Sequence, residues 1–232
     1  MTNERGSTEA NLKVYLGLGS NIGDRRANLR EAVASIEKLG VAVLRESSIY
    51  ESEPVGFKGQ PWFLNQVIEG RIFAEIECAL SVRQAASLSE PPPQVVSEDN
   101  DKLAACRTSV VEDPEIITTL QAEALLSDLL RIENDLGRER AIVNGPRVID
   151  IDLLLFGDRI IDHSKEDNER AGIKPIDVSV PHPRMHLRRF VLEPLCEIAP
   201  ELIHPILKKT CREILASLDD HSIVRRYDTK LS

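Results

Sequence analysis

The chain is poor in the residues that mark several specialised protein classes. Its four cysteines stand at irregular spacings and form no Cys-x-x-Cys pair: Cys78, Cys106, Cys196 and Cys211. We therefore expect free thiols in a reducing compartment and no zinc site. No apolar run is long enough to cross a membrane, and the first residues lack the apolar core of a signal peptide. These absences predict a cytoplasmic protein with no membrane partner.

Positive charge is also scarce. The 232 residues include 29 Lys and Arg against 38 Asp and Glu, which is a formal net charge of −9. Residues 75–119 alone carry nine acids and three bases, so they contribute −6 of that charge. A nucleic-acid-binding surface needs a basic stripe, so nucleic acid is not an expected partner. The hydrophobic share of 42% is ordinary for a soluble globular protein that buries a core.

Two common nucleotide-binding motifs are missing as well. The glycine-rich run at residues 17–23 would match the dinucleotide fingerprint only with its third glycine at position 22, which is Ile22. The Gly-Lys-Ser/Thr triplet of a P-loop does not occur in the sequence. We interpret these glycines as places where the backbone passes close to neighbouring structure or to a ligand.

Apolar periodicity predicts four strands and two long helices in the order β-α-β-β-α-β. Three strands are expected near residues 13–18, 41–50 and 63–73, and a fourth contains Asp150 and Asp152. This order is that of the ferredoxin-like α+β plan, in which helices cover an antiparallel sheet. A doubly wound parallel sheet is the alternative, and it is weakened because the second and third strands follow each other without a helix.

The helices have recognisable ends. Asp24 can cap the first helix, which stops at Gly40. The second is expected to begin at Thr118, where Gln121 completes a capping box, and to end at Gly137. Two further short helices are predicted near residues 193–198 and 210–218.

Polar segments divide the chain into an expected domain and its attachments. Residues 1–11 are predicted to be a disordered tail, and residues 12–218 a single domain. Within that domain an acidic stretch without periodicity, about 75–118, is an expected exposed insertion, and 162–174 is a second polar excursion. Residues 219–232, which close on a basic run expected to be structureless, are predicted to be a C-terminal tail or a linker.

The most informative run is 145–157, in which a Gly-Pro turn leads into a short apolar strand. Asp150 and Asp152 share one face of that strand, because side chains alternate along it. About 7 Å apart along this face, the two carboxylates repel each other unless a cation lies between them. Magnesium on a nucleotide suits this place, since it prefers one or two carboxylates plus phosphate oxygens. A solvated acidic face is the alternative; Arg147 and Leu154 beside the pair favour the metal site.

Without a P-loop, the charge of a nucleotide's phosphates must be met by metal and by side chains such as arginine, whose planar fork binds phosphate oxygens. Six arginines lie near the carboxylates or beyond the following turn: Arg138, Arg140, Arg147, Arg184, Arg188 and Arg189. Singly each is a surface charge, but together they predict an anion site. His182 could donate to a phosphate or leaving group. Its spacing from His186 resembles a metal pair, but the flanking prolines argue against a zinc role.

A second set of residues suits a flat heterocycle. The loop at 52–56 and the strand at 62–65 combine an aromatic face, an amide and exposed backbone groups, which support stacking and edge hydrogen bonds. In the plainer interpretation, Phe63 belongs to the core and Asn65 is a turn residue.

Five blocks of sequence, in order, carry a family resemblance. They are YLGLGSNIGD at 15–24, SIYESEP at 48–54, FLN at 63–65, GPRVIDID at 145–152 and VPHPRM at 180–185. On these blocks the chain resembles the 6-hydroxymethyl-7,8-dihydropterin pyrophosphokinases, enzymes of folate biosynthesis, over about residues 13–207. The fourth and fifth blocks together are highly specific.

The resemblance implies a ferredoxin-like pyrophosphokinase domain that transfers diphosphate from ATP to the pterin's hydroxymethyl group and leaves AMP. It implies that Asp150 and Asp152 hold two magnesium ions bridging the ATP phosphates, with Arg138 and Arg147 stabilising charge on the transferred group. The implied ATP-contacting residues are Glu133, Arg140, Leu153, Ser179, His182 and Arg188. The implied pterin pocket comprises Ser52, Pro54, Val55, Phe63, Asn65 and Phe190, with Asn65 at the ring edge and Phe190 stacked on the ring. The expected partners are ATP and 6-hydroxymethyl-7,8-dihydropterin, and the expected state is a monomer.

The sequence departs from the family pattern at three places. Val143-Asn144 replaces an Arg-Trp pair that often precedes Gly-Pro-Arg, Leu130 replaces a frequent Gln, and Phe63 replaces a Tyr. None of these touches the aspartate pair, so we expect an active enzyme with altered loop dynamics. Two alternatives stay open: a ferredoxin-like module that binds nucleotide or pterin without chemistry, and the kinase part of a larger multifunctional folate enzyme.

Overall fold

The structure is a computed structural model that describes five stretches of the chain: residues 12–56, 58–72, 114–137, 145–163 and 178–228. Several expectations concern residues outside these stretches. They are the tail at 1–11, the insertion up to residue 113, the polar excursion beyond residue 163, the arginines at 138 and 140, and the departure at 143–144.

Eight strands, four α-helices and one 3-10 turn lie in the described residues. The strands are β1 (Leu12–Ser20), β2 (Ala42–Glu46), β3 (Tyr50–Ser52), β4 (Phe63–Ile72), β5 (Asp150–Phe156), β6 (Ile161–His163), β7 (Val178–Val180) and β8 (Val224–Arg226). The helices are α1 (Arg25–Lys38), α2 (Pro114–Asp135), α3 (Arg189–Ile198) and α4 (Cys211–Ala216), and the 3-10 turn covers Met185–Leu187.

Six of the strands form one sheet, and every pairing in it is antiparallel. The order is β5-β1-β4-β3-β8, and β2 also pairs with β4. β1 is therefore central, with β4 on one side and β5 on the other. β6 and β7 form a separate antiparallel pair. The predicted antiparallel sheet is confirmed, and the parallel alternative is wrong for the strands that the structure describes.

The strand predicted over 41–50 is interrupted in the structure. β2 pairs Glu46 with Ile68 of β4, whereas β3 pairs Tyr50 with Asn65, so one extra residue lies between the two pieces. Ser47 occupies this break, where its hydroxyl accepts a hydrogen bond from the Val67 N–H at 3.0 Å. A side chain thus takes a place in the ladder that periodicity alone does not predict.

Two hydrophobic clusters lie on opposite faces of the sheet. The larger includes Leu29 of α1 and Leu129 of α2, both fully buried, together with Leu16 of β1. The smaller includes Leu195 of α3 and Tyr15, the neighbour of Leu16. Because successive side chains of a strand point to opposite faces, α1 and α2 cover one face of β1 and α3 covers the other.

The helix ends follow the sequence signals in part. The Asp24 carboxylate accepts a hydrogen bond from the Ala27 N–H at 2.9 Å, which confirms the predicted cap of α1. The predicted start of the second helix at Thr118 is wrong, since α2 already begins at Pro114. Proline suits the first position of a helix, where its missing N–H would have no intrahelical partner. Among the described helices, none is both long and apolar enough to cross a bilayer.

The end of the described chain is part of the sheet. The close at 224–227, expected to be structureless, contains strand β8, which pairs Val224 with Ser52 and Arg226 with Tyr50. The Tyr227 N–H extends this pairing by donating to the Ile49 carbonyl at 2.8 Å. That expectation is therefore wrong, because β3 offers a strand edge that only a distant segment of the chain covers.

Candidate active site

A cleft opens on the face of the sheet opposite α1 and α2, and two glycines of β1 form its floor. Gly19 lies between Asp150 of β5 and Asn65 of β4 in the strand register. A Cβ atom at Gly19 would lie 3.5 Å from the Asn65 amide oxygen and 4.0 Å from the Asp150 Cβ. Gly17 occupies the corresponding place beside Asp152. The small floor keeps open the space between the aspartates and the amide.

The two aspartates project together from β5, and each faces an arginine. Asp150 forms an ion pair with Arg147, and Asp152 lies 3.6 Å from the Arg188 guanidinium. All four side chains line the cleft and are between 21% and 33% exposed. The predicted shared face is confirmed, and the arginines supply the positive charge that makes two neighbouring carboxylates tolerable.

β5 carries the aspartates on one face and core residues on the other. Ile151 and Leu153 are buried in the larger cluster. Glu133 of α2 supports the strand, since its carboxylate accepts a hydrogen bond from the Ile151 N–H at 2.7 Å. Glu133 is 1% exposed. A buried carboxyl group thus holds the backbone between Asp150 and Asp152 from the core side.

Asn21 fastens the turn that precedes the aspartates. Its side-chain oxygen accepts from the Arg147 N–H at 2.7 Å, and its own N–H donates to the Arg147 carbonyl at 3.1 Å. Its amide nitrogen donates to the Gln60 side chain and to the Pro61 carbonyl, both at 3.1 Å. One buried amide therefore ties β1, the Gly-Pro-Arg turn and the loop before β4 together.

His182 stands behind the arginines as a neutral donor. The backbone N–H of His182 donates to the Leu154 carbonyl of β5 at 2.9 Å. The ring Nδ1 accepts from the backbone N–H of Arg184 at 3.2 Å. Burial, aided by the nearby Arg188 and Arg184 charges, lowers the pKa of the imidazole to about 4. Because Nδ1 accepts, the proton of the neutral ring is on Nε2, which can donate to an anion.

The opposite wall of the cleft is aromatic and amide-bearing. Asn65 donates from its amide nitrogen to the Ser52 hydroxyl at 2.8 Å, and both residues are buried. This bond orients the amide and leaves its oxygen directed over the floor, 3.5 Å from the position of a Gly19 Cβ. Phe63 and Phe190 line the same part of the cleft. An oriented amide and two aromatic rings lining one cleft can bind the edge and faces of a flat heterocycle.

The structure brings most of the predicted site residues together. Those that line the cleft are Arg147, Asp150, Asp152, Arg188, Ser52, Val55, Phe63, Asn65 and Phe190. Glu133, Leu153, Pro54, Ser179 and His182 do not line it. The Leu153 side chain is in the core on the far face, so only its backbone could reach a ligand. Arg138 and Arg140 lie outside the described residues.

Of the six arginines proposed as an anion site, one is turned away. The Arg189 guanidinium donates to Glu193 at 3.2 Å and to the Asp220 carbonyl at 3.3 Å, and it does not line the cleft. Its predicted part in the anion site is therefore wrong, because acceptors on α3 and near the chain's end hold it. Arg184 does line the cleft, as predicted.

Sequence reasoning missed several cleft residues. They are Gln60, Gln66, Val67 and Val191, besides Leu18 and the two floor glycines, whose contact with a ligand was left open. Glu53 and Gly56 lie in the loop at 52–56 that was proposed for a flat heterocycle, but neither was given a role of its own. Glu53, Gly56 and Gln60 belong to the loop between β3 and β4, where no periodicity applies. The nearest signal was the Ser-Glu-Pro triplet at 52–54, which marks this loop as special without assigning a role to its carboxylate.

The cleft fits magnesium that arrives with a nucleotide better than a metal held by protein alone. Within the described stretches, no group of three or more His, Cys, Asp or Glu is placed to hold a metal ion. Two carboxylates on one strand face are nonetheless a donor set that magnesium accepts when phosphate oxygens and water complete its shell. The same donors are too few and too hard for a structural zinc site.

Comparison with known families agrees with this geometry. The family model for 7,8-dihydro-6-hydroxymethylpterin-pyrophosphokinase (HPPK) matches residues 15–89 and 108–200, which is more than half of the chain. The chain belongs to this family. Both the aspartate strand and the Asn65 wall lie within the matched residues.

Relatives of different lengths match the chain. The 2-amino-4-hydroxy-6-hydroxymethyldihydropteridine pyrophosphokinase of Bacillus subtilis is 34% identical over 81% of this chain and 78% of its own length. The protein of the same name from Methylorubrum extorquens is 33% identical over 92% of this chain and 98% of its own. The folic acid synthesis protein fol1 of Pneumocystis carinii is 31% identical over 92% of this chain. The chain spans only 21% of fol1.

A solved structure also shares the fold. The crystal structure of an HPPK-DHPS in complex with substrates aligns with a TM-score of 0.52 at 15% identity, over 90% of this chain and 43% of that chain. At this identity the likeness concerns the fold alone, and this chain spans less than half of that protein.

Proposed function

We propose that this chain transfers diphosphate from ATP to 6-hydroxymethyl-7,8-dihydropterin in folate biosynthesis. The products are AMP and the pterin diphosphate, with release of the hydroxyl proton. The observation that carries the proposal is the cleft, in which Asp150 and Asp152 stand beside arginines on one wall and Asn65 stands on the other, across Gly19. The relatives named for this activity, at 33% and 34% identity, support it.

The β5 side of the cleft would receive the ATP phosphates. Two magnesium ions held by Asp150 and Asp152 would neutralise phosphate charge and orient the phosphates when ATP is bound. Arg147 and Arg188 would turn from the carboxylates toward phosphate oxygens, for which their planar forks are well suited. His182 would donate from Nε2. Arg138 and Arg140 keep the roles that the resemblance implies, as predictions.

The β4 side would hold the pterin so that its hydroxyl points at the phosphates. The hydroxyl oxygen forms a bond to the β-phosphorus of ATP while the bond from that phosphorus to the AMP oxygen breaks. Such a transfer asks little covalent chemistry of the protein, so catalysis consists of positioning and charge stabilisation. Asn65 would bind the ring edge, Phe63 and Phe190 its faces, and Ser52 and Val55 would complete the pocket.

Two further residues of the predicted ATP site are proposed in modified form. Glu133 supports the aspartate strand through Ile151. Leu153 could contact a nucleotide only through its backbone, because its side chain is buried in the core. Ser179 of β7 and Pro54 stay predictions.

The ferredoxin-like description is proposed for the fold as a whole. The central order β5-β1-β4 followed by the broken strand β2–β3 supports it, as does the position of α1 and α2 on one face of the sheet. A cytoplasmic monomer without nucleic-acid partners remains the expected state.

The experiment is an assay of AMP formation from ATP with 6-hydroxymethyl-7,8-dihydropterin in the presence of magnesium. We expect turnover by the wild-type chain, loss of AMP formation in Asp152→Ala, and loss in the wild type when EDTA removes magnesium. Asp158→Ala is the matched control, since Asp158 follows the same strand and its side chain is 97% exposed. Normal turnover by a folded Asp152→Ala variant would refute the metal assignment.

The same assay decides between the proposal and its alternatives. A module that binds nucleotide or pterin without chemistry would show binding by calorimetry and no AMP. Relatives of both kinds match the chain: those named for the kinase alone over 78% and 98% of their length, and fol1 over 21% of its length.

A further inference from the structure

Helix α3 begins at the rim of the cleft without a cap from its own sequence. Its N-cap residue is Arg188, which makes no side-chain capping hydrogen bond. The Arg188 guanidinium instead lies 5.5 Å from the centre of the Phe190 ring and 3.6 Å from Asp152. Arginine could not cap in any case, because it has no acceptor for the free N–H groups of a helix start. The position that usually carries the cap is occupied by a residue of the site.

Asp220 supplies the missing acceptor from a distant part of the chain. The Arg189 N–H, in the first turn of α3, donates to the Asp220 carboxylate at 2.8 Å. The second oxygen of that carboxylate accepts from the Ser222 N–H at 2.9 Å, so both oxygens are held. A carboxylate at a helix N-terminus is also favoured by the helix dipole. Asp220 therefore does for α3 what an N-cap residue normally does.

The same segment also holds the loop after β3, another part of the cleft's rim. The Ile223 carbonyl accepts from the Glu53 N–H at 3.2 Å, and the Ile223 N–H donates to the Glu53 carboxylate at 3.0 Å. The next residue, Val224, pairs with Ser52, whose hydroxyl accepts from the Asn65 amide. The loop that lines the cleft after β3 is thus attached to the C-terminal segment at two consecutive residues.

We infer that residues 220–227, here called the strap, set the width of the pterin pocket, and that Asp220 is a positioning residue of the reaction. The strap is attached to α3 at Asp220 and to the loop at Ile223, three residues later. Three residues span at most about 10 Å. The α3 rim, with Phe190, and the loop rim, with Glu53, therefore cannot separate while both attachments hold. This inference rests on the proposed function, whose pterin pocket it deepens.

The test compares ligand affinities by equilibrium binding. In Asp220→Ala we expect the Kd for 6-hydroxymethyl-7,8-dihydropterin to rise about fivefold, the size expected when one capping interaction is lost. The Kd for a magnesium complex of a nonhydrolysable ATP analogue should change less than twofold. Asp220→Asn keeps one acceptor oxygen and should recover most of the affinity. Asp219→Ala is the matched control, because that neighbouring side chain is 98% exposed and should bind both ligands as the wild type does.

A second variant separates positioning from simple loss of stability. Ile223→Pro removes the N–H that donates to Glu53 and leaves the Asp220 carboxylate in place, so it should weaken pterin binding selectively as well. Ligand binding by both variants is measured at a temperature well below the midpoint of their thermal unfolding. Wild-type pterin affinity in folded Asp220→Ala, or an equal loss of affinity for both ligands, would overturn the inference.

The controls distinguish this outcome from failure of the proposed function. If the wild type neither binds the pterin nor forms AMP, the proposed function fails and the inference fails with it. If the wild type does both and the strap variants bind the pterin unchanged, only the inference fails.

Discussion

The two walls of the cleft are built in opposite ways. On the β5 wall, Arg147, Asp150 and Asp152 lie within six consecutive residues, on or just before a strand whose other face is core, and Arg188 joins them from the start of α3. The β4 wall assembles Ser52, Asn65 and Phe190 from three separate elements, and a contact across 170 residues holds its loop. The first wall follows from local sequence, whereas the second depends on the tertiary fold. Variants of the two walls should therefore impair different steps.

The largest loss of activity is expected from a substitution on the β5 wall. Arg147→Ala should lower kcat about 10²- to 10³-fold, the typical loss when one group that stabilises developing charge is removed. Pterin affinity should stay within twofold, since the backbone of residue 147 remains held by Asn21. Steady-state kinetics in both substrates measures this. Arg147→Lys keeps the charge without the planar fork and should be intermediate. A raised pterin KM with unchanged kcat would contradict the division between the walls.

The second effect concerns the β4 wall. Asn65→Ala should raise the KM for the pterin about 10- to 100-fold, because the pocket then lacks its edge contact and the Ser52 hydroxyl loses its donor. The Kd for MgATP should be nearly unchanged. Ser52→Ala removes only the group that orients the amide and should cost less. If Asn65→Ala weakened MgATP as much as pterin, the two walls would not be separate binding sites.

The third effect tests the support behind the β5 wall. Glu133→Ala leaves the buried Ile151 N–H without this acceptor and should lower the free energy of unfolding by about 1–3 kcal/mol. Glu133→Gln retains an acceptor oxygen and should lose less. Chemical denaturation measures both, with Asp135→Ala as control, an exposed residue of the same helix. Wild-type stability in Glu133→Ala would show that α2 does not fasten this strand.

The fourth effect is a pH dependence of stability at His182. The folded protein holds the pKa of this imidazole at about 4, below its ordinary value of 6.5, chiefly through burial. The stability gained by keeping the ring neutral is thus fully present above pH 6.5 and is lost as the pH falls toward 4. His182→Gln should lack this dependence, which amounts to at most about 3 kcal/mol. Unfolding midpoints of both proteins between pH 7 and pH 4 check it; parallel curves would contradict the assignment.

Local sequence patterns were sufficient to predict the aspartate strand of the β5 wall and much of the sheet. The alternation around Asp150 and Asp152 placed both carboxylates on one face, and Asp24 correctly predicted the cap of α1. Such features depend on residues that are neighbours in the sequence, so periodicity and capping rules apply to them directly. The assignment of Asn65 to a pterin pocket came from the family resemblance, whereas its position across Gly19 from Asp150 was not predicted.

Contacts between distant residues could not be predicted. Nothing in the run at 224–226 indicates that it covers the edge of β3, and nothing local shows that Asp220 caps α3. Arg189 was assigned to the anion site because it lies beyond the turn that follows the aspartate strand, but Glu193 and the distant Asp220 carbonyl hold its guanidinium outside the cleft. The contacts of the strap are of the same kind, because they join residues that only the complete fold brings together.

A crystal structure with magnesium, a nonhydrolysable ATP analogue and the pterin would show whether the two walls bind the phosphates and the pterin as proposed. We expect magnesium within about 2.1 Å of carboxylate oxygens of both Asp150 and Asp152, with the ring edge on Asn65. Aspartates turned away from any ion, or a pterin bound elsewhere than between the two walls, would contradict the proposal.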